Sequence, residues 1–480
     1  MKYTSTRGLS PAVTAAQAMV NGIAPDGGLY LPETIPVLSD ATLSAIKNRD
    51  YAFAALSVMK PFLPEFSDEE LTSCIKAAYS GFEGEEPVAL KKLTEDLTVL
   101  ELWHGPTCAF KDMALQLFGR MLPLCKQKCG RTEETLILTA TSGDTGKAAL
   151  EGFRDVPGIR IVVFYPHGGV SRIQELQMTT QMGENVGVYA VRGNFDDAQT
   201  GVKRLFADED LRAALQDKNV RLSSANSINW GRLLPQIVYY VYASVCVSDG
   251  RSVDFAVPTG NFGNILAGYL AKKMGAPIGR LLCASNKNRV LTDFFETGVY
   301  DRRRPFYKTN SPSMDILISS NLERLLCLET GDREKVRALM TALQNDGCYR
   351  IDAALLSSLR QTFDVAAAGD VGALAAIAYA EKTYGYLMDP HTAVAYAALG
   401  ERPLRAGFPT VLVSTASPYK FAPAVLKALG QTGDGFDALS RLSACTKTTV
   451  PASLSILRTL PVRFDAVVET DEMKNVLTFD

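Results

Sequence analysis

Lys111 is the residue whose place in the sequence points most directly to chemistry. It follows the turn-like stretch "WHGPTCAF", and the apolar residues after it recur at helical spacing, which predicts that Lys111 lies in the first turn of a helix. A cation there opposes the helix dipole, so the neutral amine is favoured. Neutral lysine forms Schiff bases and accepts protons. The competing interpretation is an ordinary solvated side chain, since the chain has 50 Lys and Arg residues.

The stretch "TATSGDTGKAAL" contains a second candidate site, an anion-binding turn. It is not a nucleotide-binding phosphate loop, because that motif needs glycine where Thr141 stands and Ser or Thr where Ala148 stands. Unpaired N–H groups at the start of the following helix favour an anion, and Ser142 and Thr145 add hydroxyl donors. Such a turn can bind a carboxylate as readily as a phosphate. The competing interpretation is that Ser142 or Asp144 only caps the helix.

The stretch "PTGNFGNILAGYL" is a third candidate and is richer in glycine. Gly260 and Gly263 allow the backbone to approach a ligand closely, and the side chains of Asn261 and Asn264 can donate hydrogen bonds. The helix that begins near Asn264 points its N-terminus into the loop. Since the pattern is not G-x-G-x-x-G, a dinucleotide site is not supported, and one phosphate monoester fits this short loop better.

The elements that must position these loops alternate along the sequence. From about residue 134, "TLILTA" precedes "GKAALEGF", "IRIVVFYP" precedes "SRIQELQMTTQMG", and "VDFAVPTG" precedes "NILAGYLAKKMG". Repeated strand, glycine-rich turn and helix predict parallel sheets covered by helices on both faces, and therefore an α/β fold. Over the first ninety or so residues, Ser and Asp at capping positions predict a helical N-terminal domain. After about residue 310, helical patterns such as "DAALLSSLRQTFDVAAAG" dominate.

Composition limits the classes of function. The 480 residues are 47% hydrophobic and 21% charged, with a net charge of −2, which allows large buried cores and gives no basic field for nucleic acid. Nine cysteines without a CxxC pair, and only three histidines, indicate neither a disulfide framework nor a metal site. No apolar run reaches the roughly 18 residues of a membrane span, and the start of the chain is too weakly apolar for a secretory signal. We therefore expect a cytoplasmic enzyme.

Taken together, the ordered motifs resemble the threonine synthase family of bacteria and fungi. The resemblance covers nearly the whole chain and is carried by "MKYTSTRG", "GIAPDGGLYLP", "ELWHGPTCAFKD", "ATSGDTG", "NSINWGRLLPQIVYY", "PTGNFGNILAGYLAKKMGAPIG", "SPSMDILISSNLERLL", "DPHTAVAYAAL" and "VSTASPYKF". It implies pyridoxal 5'-phosphate (PLP) as cofactor and the PLP fold type II, related to tryptophan synthase β. It also implies an N-terminal domain at residues 1–92 and a catalytic region at 93–480. We expect that region to divide near residue 240 into a smaller and a larger subdomain, each built on a parallel sheet.

The resemblance also implies roles for the three candidate stretches. Lys111 resembles the catalytic lysine that binds the cofactor as a Schiff base, and Thr415 resembles the hydroxyl residue at the pyridine nitrogen. The residues implied to bind the cofactor phosphate are Gly260, Asn261, Phe262, Gly263 and Asn264. The residues implied to bind the substrate's α-carboxylate are Ser142, Gly143, Asp144 and Thr145. The leaving phosphate needs a separate cationic pocket, for which the candidates are Lys147, Lys287 and Arg289.

The reaction implied is conversion of O-phospho-L-homoserine and water to L-threonine and phosphate, by γ-elimination and then addition of water at Cβ. The expected assembly is a monomer or a homodimer, and no metal is implied. One alternative is a phospho-lyase that yields a 2-oxo acid and ammonia, and another is a non-catalytic binding protein on the same fold. The intact Lys111 speaks against the second alternative. The chain departs from the family at "TASPYKF", where Ser417 replaces a histidine and Tyr419 an alanine.

Overall fold

Strands and helices alternate along most of the chain, as the sequence predicts. The computed structural model describes residues 1–477. The strands are β1 (Tyr3–Ser5), β2 (Tyr30–Pro32), β3 (Ala89–Lys92), β4 (Leu97–Glu101), β5 (Glu134–Ala140), β6 (Ile159–Pro166), β7 (Val186–Val191), β8 (Val220–Ser223), β9 (Val253–Pro258), β10 (Ile278–Ser285), β11 (Val299–Asp301), β12 (Cys348–Arg350), β13 (Phe363–Ala367), β14 (Thr410–Ser414) and β15 (Val467–Val468). The α-helices are α1 (Ala15–Asn21), α2 (Asp40–Lys47), α3 (Tyr51–Met59), α4 (Asp68–Tyr79), α5 (Lys111–Lys128), α6 (Asp144–Phe153), α7 (Arg172–Thr179), α8 (Phe195–Ala207), α9 (Glu209–Asp217), α10 (Trp230–Val247), α11 (Gly263–Lys273), α12 (Val290–Thr297), α13 (Leu322–Thr330), α14 (Arg333–Asp346), α15 (Ala353–Thr362), α16 (Asp370–Tyr384), α17 (Pro390–Glu401), α18 (Ala422–Ala428), α19 (Gly435–Thr446) and α20 (Ala452–Ser455). None of the helices within residues 1–477 combines the length and the apolarity that a bilayer crossing requires.

Two large sheets form the framework, which confirms the predicted α/β fold with parallel sheets. The smaller sheet has the strand order β15-β7-β6-β5-β8 and is parallel throughout. The larger sheet has the order β13-β10-β9-β14-β4-β3 and is parallel except that β3 runs antiparallel to β4. The central strands β6, β9 and β10 are buried along almost their whole length, because helices cover both faces.

Two strands cross the expected division of the catalytic region near residue 240. β4 precedes the helix that carries Lys111, yet it lies in the larger sheet, parallel to β14. β15 comes from the C-terminal part of the chain and joins the edge of the smaller sheet beside β7. Strands β5 to β8 lie in the smaller sheet and β9, β10, β13 and β14 in the larger one, but each sheet also takes a strand from the other part of the sequence, and β11 pairs with β12 in a separate small sheet.

One predicted helix ends earlier than expected. The stretch "DAALLSSLRQTFDVAAAG" begins as α15, whose first turn is capped by Asp352, but the helix ends at Thr362. The next five residues form β13, which pairs with β10 at the edge of the larger sheet and buries Phe363 and Ala366. Pairing with a neighbouring strand outweighs the helix propensity of the alanines in this segment.

The predicted N-terminal helices form and pack directly on the catalytic region. Ser39, Asp50 and Ser67 cap α2, α3 and α4 by accepting hydrogen bonds from backbone N–H groups. Helices α1 and α4 pack on α5, while α2 and α3 pack on α10. The buried side chains of all these helices belong to one apolar core. The N-terminal segment therefore supports the helix that carries Lys111.

Candidate cofactor and active site

Lys111 begins α5, as predicted, and a short antiparallel contact fixes that start. The N–H group of Phe110 donates to the carbonyl of Thr415 at 2.8 Å, and the N–H group of Ser417 donates to the carbonyl of Cys108 at 3.0 Å. These two bonds join the segment before α5 to the segment after β14. Lys111 and Thr415, which were predicted to act on the same cofactor, are therefore held close together.

The amine of Lys111 lies in a buried polar pocket. Its Nζ is 3.3 Å from Oδ2 of Asp144 and 3.2 Å from Oγ of Ser313, and the side chain is 9% exposed. Burial lowers the pKa of Lys111, the Asp144 carboxylate opposes this shift, and the charge of Lys420 adds to it. The pKa therefore lies below its usual value, which favours the neutral amine as nucleophile and base.

Asp144 is an anion surrounded by four donors. Its Oδ2 faces Lys111 and Ser313, while its Oδ1 accepts from Gln174 at 3.0 Å and pairs with Lys420 at 2.9 Å. Burial raises the pKa of Asp144, but the charges of Lys420 and Lys111 outweigh burial and hold the pKa well below its usual range. A carboxylate in this state repels the α-carboxylate of a substrate. The prediction that Asp144 binds the substrate carboxylate therefore concerns its backbone N–H group, at the start of α6, and not its side chain.

The backbone N–H groups and the hydroxyls of this turn can donate hydrogen bonds to an anion. Gly143 has a φ of 127° and leads into α6, whose first N–H groups have no acceptor within the helix. Oγ1 of Thr141 fixes the turn by accepting from the N–H groups of Gly143 and Gly146, at 3.0 and 2.8 Å. Within residues 1–477 the hydroxyls of Ser142 and Thr145 have no hydrogen-bond partner. Binding of a substrate carboxylate by Ser142, Gly143, Thr145 and the N–H group of Asp144 stays a prediction that this geometry permits.

The GNFGN loop (residues 260–264) joins β9 to α11 in a conformation that depends on its glycines and on a left-handed residue. Phe262 has a φ of 63°, and its buried ring packs on Phe295 and Phe363. A Cβ on Gly260 would lie 2.7 Å from the carbonyl oxygen of Ser313, so only glycine fits there. The loop therefore leads directly into the N-terminus of α11, and the free N–H groups at such a helix start are suited to binding a phosphate.

Asn264 adds a side-chain donor to the same loop. Its Oδ1 accepts hydrogen bonds from the hydroxyls of Tyr239 and Tyr240, at 2.7 and 2.8 Å. Its Nδ2 is buried and has no hydrogen-bond partner within residues 1–477. A buried amide N–H without a partner costs free energy unless a ligand accepts from it. The donors of this loop therefore fit a phosphate group.

Ser313 lies between two of the three predicted parts of the cofactor site, Lys111 and the GNFGN loop. Its hydroxyl lies beside Lys111, and its carbonyl lies against Gly260 of the GNFGN loop. Thr415 lies just after β14, and within residues 1–477 its hydroxyl has no hydrogen-bond partner. The site thus presents an amine, a neutral hydroxyl and a loop with free donors, which suit the aldehyde, the ring nitrogen and the phosphate of PLP. The residues present fit this cofactor.

Two buried cations beside the site were not predicted. Lys420 is 0% exposed, and its Nζ donates to the carbonyl of Thr107 at 2.8 Å besides pairing with Asp144. Arg232 is 3% exposed and donates to the carbonyl of Ala225, but its Nε has no partner within the described part of the chain. Both residues lie in recognised motifs, "SPYKF" and "NSINWGR". A single Lys or Arg gives no sequence signal of burial, because these residues are usually exposed.

His391 and Asp389 form a buried pair that supports Ser313. Nδ1 of His391 lies 2.7 Å from Oδ1 of Asp389, and Nε2 accepts from the N–H group of Ser313 at 3.2 Å. Both ring nitrogens are therefore occupied. The motif "DPHTAVAYAAL" contains this pair, and its role in positioning Ser313 depends on a contact that the sequence does not reveal.

The three cations predicted for the leaving phosphate have partners other than Lys111 and the GNFGN loop. Lys147 pairs with Glu151 at 3.1 Å, and Arg289 pairs with Asp293 at 2.8 Å on the surface. Lys287 is exposed and lies over the ring of Tyr307, 4.1 Å from its centroid. Within residues 1–477, none of the hydrogen bonds or ion pairs of these cations reaches Lys111 or the GNFGN loop.

The two departures from the family pattern have structural roles. Ser417 is 0% exposed, and its hydroxyl accepts from the N–H group of Tyr419 at 3.4 Å, which caps the turn that carries Lys420. The hydroxyl of Tyr419 contacts Thr448, at 3.0 Å from its carbonyl and 2.7 Å from its hydroxyl. Tyr419 therefore stabilises the C-terminal segment around Thr448 by hydrogen bonding.

Comparison with known protein families agrees with this site. Residues 80–415 match the family described as pyridoxal-phosphate dependent enzyme. Residues 2–79 match the family described as threonine synthase N terminus, and residues 392–477 match threonine synthase, C-terminal. The fold and the site thus define a PLP-dependent enzyme of fold type II, as predicted.

Comparison with individual proteins identifies the family within this class of PLP-dependent enzymes. The chain is 41% identical to the threonine synthase of Pseudomonas aeruginosa over 435 residues, which are 90% of this chain and 91% of that protein. The PLP-bound threonine synthase of Brucella melitensis has a TM-score of 0.90 and 38% identity, covering 99% of this chain and 98% of that one. The yeast threonine synthase has a TM-score of 0.89 and 36% identity, with the same coverage. The chain belongs to the threonine synthase family, and its cofactor is PLP.

Proposed function

We propose that the protein converts O-phospho-L-homoserine and water into L-threonine and phosphate, the last step of threonine biosynthesis. The observation that carries this proposal is the joint placement of the Lys111 amine, the phosphate-binding GNFGN loop and the anion-binding turn before α6. Similarity to threonine synthases over 90% of the chain supports it.

The side chains around Lys111 suit repeated proton transfer. When bound, PLP draws electrons from the substrate and so acidifies the proton on its Cα. Nζ of Lys111 accepts that proton, gives it up again to the bound substrate and cofactor, and only then, as a neutral amine, accepts one from Cβ; in the later steps it returns protons to the substrate carbons. Ser313 and Asp144 hold the amine in place from 3.2 and 3.3 Å. The hydroxyls of Ser142 and Thr145 bind the substrate carboxylate and orient Cα towards the amine.

Arg232 is the cation that we assign to the phosphate ester of the substrate. It lies on α10, as does Tyr239, which contacts Asn264 of the GNFGN loop, and its charge contributes to the lowered pKa of Lys111. Burial lowers the pKa of Arg232 to about 10, and within residues 1–477 no carboxylate pairs with it. A buried guanidinium without a counter-ion is stabilised by an anionic ligand, and arginine matches the geometry of phosphate.

Product analysis tests the proposed function. The purified protein, supplied with PLP and O-phospho-L-homoserine, should release threonine and phosphate in equal amounts. Phosphate accompanied by 2-oxobutyrate and ammonia would instead identify a phospho-lyase, and no turnover would indicate a binding protein. Lys111→Ala should remove both products, which separates the reaction from that of a contaminating phosphatase.

We also propose that the enzyme works in the cytoplasm on a small molecule, without nucleic acid, as a monomer or a homodimer. The net charge of −2 supports the absence of a nucleic-acid partner. Light scattering of the purified protein distinguishes the two assembly states.

A further inference from the structure

Two buried lysines share one carboxylate in this site. Lys111 lies 3.3 Å from Oδ2 of Asp144, and Lys420 lies 2.9 Å from its Oδ1. The side chains of the three residues are 9%, 0% and 2% exposed, respectively, for Lys111, Lys420 and Asp144. One carboxylate balances only one ammonium group, and a second ammonium in the same buried space remains uncompensated. Loss of the proton from one of the two lysines is therefore energetically favoured.

The hydrogen bonds indicate which lysine keeps its proton. Lys420 donates to Asp144 at 2.9 Å and to the carbonyl of Thr107 at 2.8 Å. Lys111 has the longer contacts, 3.3 Å to Asp144 and 3.2 Å to the neutral hydroxyl of Ser313. Short bonds to a carboxylate and a carbonyl stabilise an ammonium group more than long ones. The arrangement thus favours charge on Lys420 and a neutral amine on Lys111.

The other charged and titratable groups near Lys111 do not reverse this balance. Arg232, from α10, adds a further positive charge that lowers the pKa of Lys111. His391, from α17, bonds to Asp389 and to the backbone of the 311–315 segment. Asp112, the next residue in α5, is directed at the Thr107 N–H and hydroxyl. Asp144 is therefore the carboxylate in contact with the Lys111 amine.

We propose that Lys420 is a positioning residue for the catalytic base: its charge holds Asp144 as an anion and discourages protonation of Lys111, so that the Lys111 amine can accept protons from substrate carbon at neutral pH. The inference rests on the proposed function only in taking Lys111 as the base. It assigns to the "SPYKF" motif an electrostatic function that acts through Asp144.

The test compares Lys420→Met with Lys420→Arg, which keeps the charge. The first measurement is the pH at which the visible absorbance of the Lys111-bound cofactor titrates, and the second is the acid limb of the pH profile of kcat. Because a nearby positive charge lowers the pKa of Lys111, its removal in Lys420→Met should move both midpoints to higher pH, by about one pH unit. Lys420→Arg should leave both midpoints near those of the wild type.

Asp144→Asn supplies a perturbation of opposite sign. The Asp144 carboxylate raises the pKa of Lys111, so its removal should move the midpoints to lower pH. Unchanged midpoints in Lys420→Met, or shifts in the same direction in both variants, would overturn the proposal. If Lys420→Met does not fold, Lys420→Gln takes its place, because glutamine can still donate a hydrogen bond but carries no charge, and unchanged midpoints in that variant would overturn the proposal. The absorbance titration needs no turnover, so it reports on Lys420 even if the wild type makes no threonine.

Discussion

Replacing Arg232 by methionine separates its contribution to folding from its contribution to substrate binding. Burial lowers the pKa of Arg232 to about 10, and against an ordinary arginine value of about 12.5 this corresponds to about 3 kcal/mol of unfavourable burial. Because the folded state has the lower pKa, the whole cost is present below about pH 10 and is relieved only above it. The bond to the Ala225 carbonyl offsets about 1 kcal/mol. We therefore expect Arg232→Met to raise the free energy of unfolding by about 2 kcal/mol.

The same substitution should weaken binding of the phosphorylated substrate. A hydrogen bond between charged groups contributes about 1.5 to 3 kcal/mol, so KM should rise about ten- to a hundredfold. Thermal denaturation and steady-state kinetics on one preparation measure both effects. Arg324→Met is the matched control, because Arg324 is also buried but donates to three acceptors, and leaving these unpaired offsets more of the gain in stability than the single acceptor of Arg232 does. A destabilised Arg232→Met protein with an unchanged KM would refute the assignment.

Three further substitutions test other parts of the site. Borohydride reduction should attach the cofactor to the Lys111 peptide of the wild type and leave no such label in Lys111→Ala; if mass spectrometry finds an equal label on another lysine, the role of Lys111 is contradicted. Gly260→Ala should keep the circular dichroism spectrum but weaken cofactor binding by about tenfold, because its Cβ meets the Ser313 carbonyl at 2.7 Å; unchanged affinity in a fluorescence titration would count against the loop geometry. Ser417→His introduces the residue that the family often has at this position, and because Ser417 is fully buried, the larger side chain should destabilise the fold by about 1 to 3 kcal/mol and lower the melting temperature. An unaltered melting curve would show that the space around residue 417 accommodates histidine without strain.

Features that depend on neighbouring residues were predictable from the sequence. The start of α5 at Lys111 follows from the turn before it and from helical spacing after it. The GNFGN loop follows from its glycines and from the strand and helix around it, and Gly260 does lie where no Cβ fits. Local patterns also predicted the parallel strands β5, β6 and β9, because buried strands are apolar throughout.

Features that depend on distant contacts were not predictable in this way. The contacts of Asp144 with Lys111 and Lys420 join residues that lie far apart in the chain, so the sequence does not show that one carboxylate faces two lysines. Arg232 was overlooked because nothing in α10 distinguishes a buried arginine from an exposed one. The five residues after α15 form β13 only because β10 lies beside them. Sequence patterns identify loops with the right shape, whereas the charge balance inside a site is set by the tertiary fold.

The fate of the oxygen atoms tests the central claim most directly. In the proposed reaction the bond between carbon and the ester oxygen breaks, and the hydroxyl that arrives at Cβ comes from water. When the reaction runs in water enriched in the heavy oxygen isotope, mass spectrometry should find the label in the threonine hydroxyl and none in the phosphate at the moment of release. Label in the phosphate, with homoserine as the organic product, would show that the protein hydrolyses the ester and would contradict this account.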